Sequence, residues 1–182
     1  MLFRSGIQFA QFNTLFQLLA EQQNTSNLLN VADLFLPLPN YLLYLLSGEK
    51  KAEYTIASTT QLTDPRTRQW SEAILDTFDI PNSIMPDIVE PGTVIGSILP
   101  DIAEKTGISR DVPVIASASH DTAAAVASIP ATEPDWAFLS SGTWSLMGLE
   151  LDEPVINEKS LKYNFTNEGG VEKKIRYLKN II

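Results

Sequence analysis

From its N-terminus the chain first sets apolar residues at helical spacing. Phe9, Phe12, Phe16 and Leu19 recur every three or four positions, which predicts a helix over residues 7–21 with one buried face. A polar loop, EQQNTSN, follows it. Asn40 then stands where it can cap a short helix carrying Leu42, Leu45 and Leu46, and Gly48 is placed to end that helix. Between Tyr54 and Trp70 the pattern turns β-branched and polar, with a turn at Asp64-Pro65. Ser71 predicts the cap of another helix whose Ile74, Leu75 and Phe78 face inward, with Pro81 beyond its end.

Further on, PGTVIGSI reads as a short strand opened by a turn, and LPDIAEKTG as a helix stopped by Gly107. VPVIAS is a short apolar run of the kind buried inside a sheet, and the helix HDTAAAVASI follows it at once. Helices alternating with short apolar strands predict α/β architecture. The texture changes after Pro130. ATEPD is a plausible linker, and WAFLSSGTWSLMGLEL reads as two strands joined tightly at Ser141-Gly142. YNFTNEGGVEKKIRYLKNII adds a Gly-Gly turn, a strand-like or helical stretch, and an apolar pair with no cap or polar tail.

Composition narrows the function. The 182 residues are 44% hydrophobic and 19% charged, which is the make-up of a folded chain. A net charge of -9 argues against nucleic acid or an anionic membrane as the main partner. It does not exclude ATP, whose phosphates can be held by local backbone donors and Mg²⁺. With no cysteine there is no disulfide, thiolate zinc site or cysteine nucleophile, as fits a reducing cytoplasm. The start of the chain lacks the unbroken apolar core of a secretory signal. LFLPLPNYLLYLLSG is too short and too proline-broken to span a membrane.

The candidate chemistry centres on the only histidine, His120, and on Asp121 beside it. Asp121 heads the helix that follows VIAS, and open α/β sheets place ligands at strand ends. Two readings stand for it: a helix cap, or a carboxylate base that takes a proton from an attacking hydroxyl. Ser119-His120-Asp121 is no catalytic triad, because three consecutive residues cannot converge as a triad must. In SSGTWS, Gly142 allows close backbone approach, with hydroxyls of Ser140, Ser141, Thr143 and Ser145 around it. The stretch suits either a phosphate-binding loop or an ordinary hairpin turn. No Walker or GxGxxG fingerprint is present. One histidine leaves mainly carboxylates for metals, so Mg²⁺ arriving with ATP is the natural ion and no metal site is assigned. Asn164-Phe165-Thr166 fits a glycosylation acceptor, but nothing else in the chain reads as secreted.

Taken in order, SGEKKAEYTIASTTQL, ASHDTAAAVASIPA, SSGTWSLMGLEL and TNEGG…RYLKNI resemble the FGGY carbohydrate kinases. HDTA joined to SSGTWSL and NEGG resembles the branch acting on L-rhamnulose more than those acting on xylulose or glycerol. The resemblance implies the actin-like ATPase (ribonuclease H-like) fold, two lobes with sugar and ATP in the cleft between them. Residues 1–130 would be the C-terminal part of the sugar-binding lobe, and 131–182 the beginning of the ATPase lobe. It implies transfer of the γ-phosphoryl of MgATP to the 1-hydroxyl of L-rhamnulose. Asp121 would be the base, His120, Thr122 and Asn180 would join it beside the sugar, and Thr143 with Gly142 would meet the ATP phosphates.

The resemblance also carries a departure. Such kinases begin with a strand and a small-residue turn that face the phosphates, and nothing similar precedes MLFRSGIQF. The adenine pocket and a later glycine-rich loop would lie beyond Ile182. The chain is therefore expected to be the middle of a kinase, inactive alone, and marginally stable or self-associating. Two other readings stay open: a segment of another sugar kinase of the family, or a non-catalytic remnant that acts as a binding module.

Overall fold

The computed structural model describes residues 2–24, 28–133 and 135–181. Three residues of the predicted polar loop (25–27), Pro134 of the predicted linker and the terminal Ile182 lie outside them. Nine α-helices, two short 3-10 helices and ten strands occupy the described residues, in short pieces. The first part holds helices α1 (Leu2–Ser5), α2 (Thr14–Gln23), α3 (Leu28–Val31) and α4 (Leu38–Ser47). Strand β1 (Lys51–Glu53), helix α5 (Tyr54–Ala57), strands β2 (Thr63–Asp64) and β3 (Gln69–Trp70), and helix α6 (Glu72–Thr77) follow. Next come β4 (Asp87–Val89), β5 (Thr93–Ser97), α7 (Pro100–Thr106), β6 (Pro113–Ala116) and α8 (Asp121–Ala127). The last part is β7 (Phe138–Ser141), β8 (Ser145–Leu151), α9 (Glu158–Lys162), β9 (Thr166–Gly169) and β10 (Ile175–Asn180).

The predicted helix over 7–21 starts only at Thr14, and its apolar face differs from the prediction. Gly6 takes a left-handed φ of 68°, and Asn13 Nδ2 donates to Gln8 O and to Gln61 Oε1, so residues 7–13 follow a pinned irregular path. Phe9 and Phe12 are exposed, whereas Leu15 is fully buried with Leu62, Ile74, Leu75 and Ile80. That cluster is the core of the first part. Its α6 contribution matches the predicted inward face, although Ser71 stands at the N-cap without a side-chain cap bond.

Helix α4 begins two residues before Asn40, which is buried inside it, so proline at the first turn starts the helix and Asn40 does not cap it. Gly48 and Gly107 end α4 and α7 in the left-handed conformation that their positions predicted. VPVIAS corrects another expectation. As β6 it pairs, among the described residues, with β5 alone, antiparallel, and alternates exposed and buried residues, so there it is an edge strand of a two-stranded sheet. Helix α9 had no counterpart in the sequence reading; Asn157 caps it through a bond from Ser160 N.

The largest sheet is antiparallel, ordered β7-β8-β10-β9. Phe138 of β7 and Leu178 of β10 pack against Val126, so the small-residue helix α8 lies on this sheet. Strand β9 is tied back to the first part of the chain. Gly169 N donates to Ser58 Oγ at 2.8 Å, and Asn167 donates both its backbone N–H and its Nδ2 to the Gly6 carbonyl while its side chain exchanges bonds with the Val155 backbone. These ties seat the sheet that carries the β7–β8 turn, and α8 packed on it, against the first part of the chain.

Candidate active site

A cleft of about 420 Å³ opens between the start of α8 and the β7–β8 turn. His120, Asp121 and Thr122 line one wall, and Gly142, Thr143 and Trp144 line the other. Asn180, at the end of β10, lines the cleft too, as does Glu168 of β9. All six residues singled out from the sequence therefore meet around one space. Three of them, Gly142, Thr143 and Asn180, come from elements after Pro130, brought to α8 by its packing on the sheet.

The cap of α8 is His120 rather than Asp121. His120 has extended backbone angles, and its Nδ1 accepts from Thr122 N at 3.2 Å. Asp121 is the first helical residue, and its Oδ1 accepts from the same N–H at 2.7 Å. Nδ1 also lies 3.2 Å from Oδ1. Because the Thr122 N–H points at both, Nδ1 presents a lone pair, and this approach is no hydrogen bond. The carboxylate of Asp121 is 97% exposed and stands open in the cleft.

His120 is mostly buried, and that burial pulls its pKa below the usual histidine value. Glu168, whose carboxylate is 3.9 Å from Nε2, pulls in the opposite direction. The balance favours a neutral ring with its proton on Nε2, on the side of Glu168. Behind it, Arg176 is fully buried, donates Nε–H to Gly169 O at 2.9 Å, and brings Nη2 to 3.2 Å from Glu168 Oε2. That pair is close as charges but misaligned as a hydrogen bond, and Oε2 has no hydrogen-bond partner among the described residues. Desolvation lowers the Arg176 pKa, with Glu168 holding it up.

At the hairpin the Gly142 N–H donates to the Trp144 carbonyl at 2.8 Å, so that amide is already engaged and is not a free phosphate donor. Ser141 and Ser145 share a 2.8 Å bond with each other. The space over Gly142 is open, with no atom within 4 Å of where a Cβ would sit. The tip thus offers the Thr143 hydroxyl and an unobstructed backbone. Phe12 and Trp144 form a tilted pair with ring centroids 5.9 Å apart at the edge of the cleft.

Glu168, Arg176, Phe12 and Trp144 were not singled out from the sequence as site residues. Trp144 and Glu168 lie within SSGTWS and NEGG, but no local pattern shows these contacts, since each residue reaches the site through pairing or packing across many residues. Among the described residues no three His, Asp or Glu side chains gather as a metal site, and no helix is long and apolar enough to cross a membrane.

Against this geometry the comparisons are specific. The N-terminal domain of the FGGY family of carbohydrate kinases matches residues 2–127, and the chain belongs to that family. Among its curated relatives are rhamnulokinases. It is 46% identical over 178 residues to that of Bacteroides thetaiotaomicron, covering 98% of this chain and 36% of that one. With the rhamnulokinase of Oceanobacillus iheyensis the identity is 43% over 178 residues, 98% of this chain and 37% of the other.

Solved structures agree on the fold. The ligand-bound xylulose kinase of Lactobacillus acidophilus superimposes with a TM-score of 0.86 at 20% identity, over 98% of this chain and 36% of that one. The Plasmodium falciparum glycerol kinase with ADP gives 0.82 at 19%, over 99% and 37%. The chain spans little more than a third of the length of the curated relatives it matches. Its fold is part of the actin-like ATPase fold of FGGY sugar kinases.

Proposed function

We propose that this chain is the part of a sugar kinase that presents an acceptor hydroxyl to ATP, and that the acceptor is L-rhamnulose, phosphorylated at its 1-hydroxyl. The observation that carries this reading is the cleft itself. An exposed carboxylate, Asp121, faces a hairpin tip across a space of about 420 Å³. Residues 1–130 would be the sugar-lobe part and 131–182 the start of the ATPase lobe; the family match over residues 2–127 supports that division.

In this mechanism Asp121 takes the hydroxyl proton while the sugar oxygen attacks the γ-phosphorus and the bond to ADP breaks. Oδ1 is held by Thr122 N, and the second oxygen has no hydrogen bond among the described residues, so it is available to the substrate. A neutral His120 can donate from Nε2 to a sugar oxygen, and Asn180 and Thr122 line the same space. Thr143 and the open backbone over Gly142 suit the phosphate end of the nucleotide. With no carboxylate cluster among the described residues, Mg²⁺ would arrive on the ATP phosphates, where it neutralises charge.

L-rhamnulose is favoured as the acceptor by the 41–46% identity to rhamnulokinases, since the xylulose and glycerol kinase structures, at 18–20%, speak only to fold. The test is a chimera in which these 182 residues replace the matching stretch of the Bacteroides thetaiotaomicron rhamnulokinase. Phosphorylation of L-rhamnulose in preference to L-xylulose and glycerol is expected. A folded chimera that prefers another acceptor would reject the sugar, and one inactive on all three would reject the kinase reading.

A further inference from the structure

We infer that Glu53 and Thr55 are positioning residues for the His120–Asp121 pair, acting through the backbone that leads into α8. Both side chains belong to fully buried residues at the junction of β1 and α5. Glu53 caps α5, accepting from Thr55 N at 2.8 Å and from Ile56 N at 3.3 Å. A cap would need no more than that. Glu53 Oε2 also accepts from the Thr55 hydroxyl at 2.6 Å and from Ser119 N at 3.1 Å, 66 residues away. Because the Thr55 hydroxyl proton is committed to Glu53, its oxygen is left to accept, and it takes the His120 N–H at 3.1 Å.

Two consecutive amides directly ahead of Asp121 are thus held by one carboxylate–hydroxyl unit. The unit is directional: every bond in it runs toward the carboxylate, which can only accept when ionised. Charge-assisted bonds to a buried carboxylate are the stronger kind, and Glu53 uses both oxygens. Within the four-residue connection from β6 to α8, Ser119 Oγ donates to Ser117 O at 3.1 Å. Without Glu53 and Thr55 the start of α8 would be free to shift relative to the hairpin. A misplacement of about 1 Å in a group that must meet a reacting atom costs about 100-fold in rate.

This inference rests on the kinase reading, and the experiment separates the two. In the chimera described above, Thr55→Val keeps the shape of the side chain and removes the hydroxyl. It is expected to lower kcat by about 100-fold with KM for ATP within about twofold of the parent, and Thr55→Ser is expected to recover most of the rate. A Thr55→Val protein that folds and keeps kcat within about threefold overturns the inference, as does a Thr55→Ser protein as impaired as the valine variant. If Thr55→Val does not fold, Glu53→Gln takes its place with the same expected loss, and retained kcat overturns the inference there too. If the parent chimera is inactive, the kinase reading fails by itself. Amide exchange at Ser119 and His120 then decides: faster exchange at His120 in Thr55→Val supports the clamp, and unchanged exchange at both refutes it.

Discussion

Gly169→Ala tests how tightly the last sheet is seated on the first part of the chain. A Cβ built on Gly169 would lie 2.6 Å from both Cδ1 and Cε1 of Tyr54, and 3.2 Å from Ser58 Oγ. Carbon atoms in contact settle at about 3.5–4.0 Å, so the ring or the strand must move by about 1 Å. The ring has little room. Tyr54 is fully buried, and the Arg68 guanidinium sits 3.6 Å from its centroid, forked to Glu90 by two bonds of 2.6 Å. Nor can the strand retreat freely, because Gly169 N is bonded to Ser58 Oγ and its carbonyl to buried Arg176. Overpacking of this kind costs about 1–3 kcal/mol, and weakening a bond to a buried charged group adds about 1 kcal/mol. The expected loss is about 2–4 kcal/mol, or a fall in Tm of roughly 5–15 °C for a domain of this size. Urea unfolding followed by circular dichroism would measure it, with Gly142→Ala as the control because nothing lies within 4 Å of its Cβ position. If Gly169→Ala unfolds within about 0.5 kcal/mol of the parent, the claim that this contact is rigid is wrong.

Other expectations follow from single observations. Leu15→Ala removes a fully buried side chain from the first core and should cost about 2–5 kcal/mol in the same unfolding assay; a loss below about 1 kcal/mol would mean that the cluster does not hold the first part together. His120 should titrate below the ordinary histidine range in an NMR pH series, and Glu168→Gln, by removing the group that raises it, should lower the midpoint further. Because its folded pKa is depressed, the unfolded chain takes up the proton first as pH falls. The stability linked to His120 is therefore complete above the ordinary histidine pKa and is lost as pH drops through it toward the folded value. A midpoint at or above the ordinary value would contradict the buried, neutral ring.

The parts of the fold legible in the sequence were those written locally. Gly48 and Gly107 mark helix ends because only glycine adopts a left-handed turn without strain, and the apolar spacing of Ile74 and Leu75 marks a buried face. The helix expected from Phe9 and Phe12 shows the limit of spacing. Those rings lie outside the core, and Phe12 meets Trp144 across 132 residues. His120 displaced Asp121 as cap because an imidazole nitrogen accepted the Thr122 N–H, which helix-end statistics would not favour. Six site residues could be named in advance because HDT, SSGT and the final asparagine carry a family resemblance. Their arrangement in one cleft could not be read from periodicity. Glu53, Glu168 and Arg176 lie inside stretches that carry the resemblance, yet nothing local assigned them a role, since each acts on a partner reached through the tertiary fold.

The measurement that bears most directly on the central claim is Asp121→Asn in the active chimera, with turnover and L-rhamnulose binding measured on the same protein. The substitution keeps the size of the side chain and removes the base. The account predicts a fall in kcat of about 10²–10⁴-fold with sugar affinity little changed. Equal losses in binding and turnover, or turnover that survives intact, would show that Asp121 shapes the cleft without acting as its base.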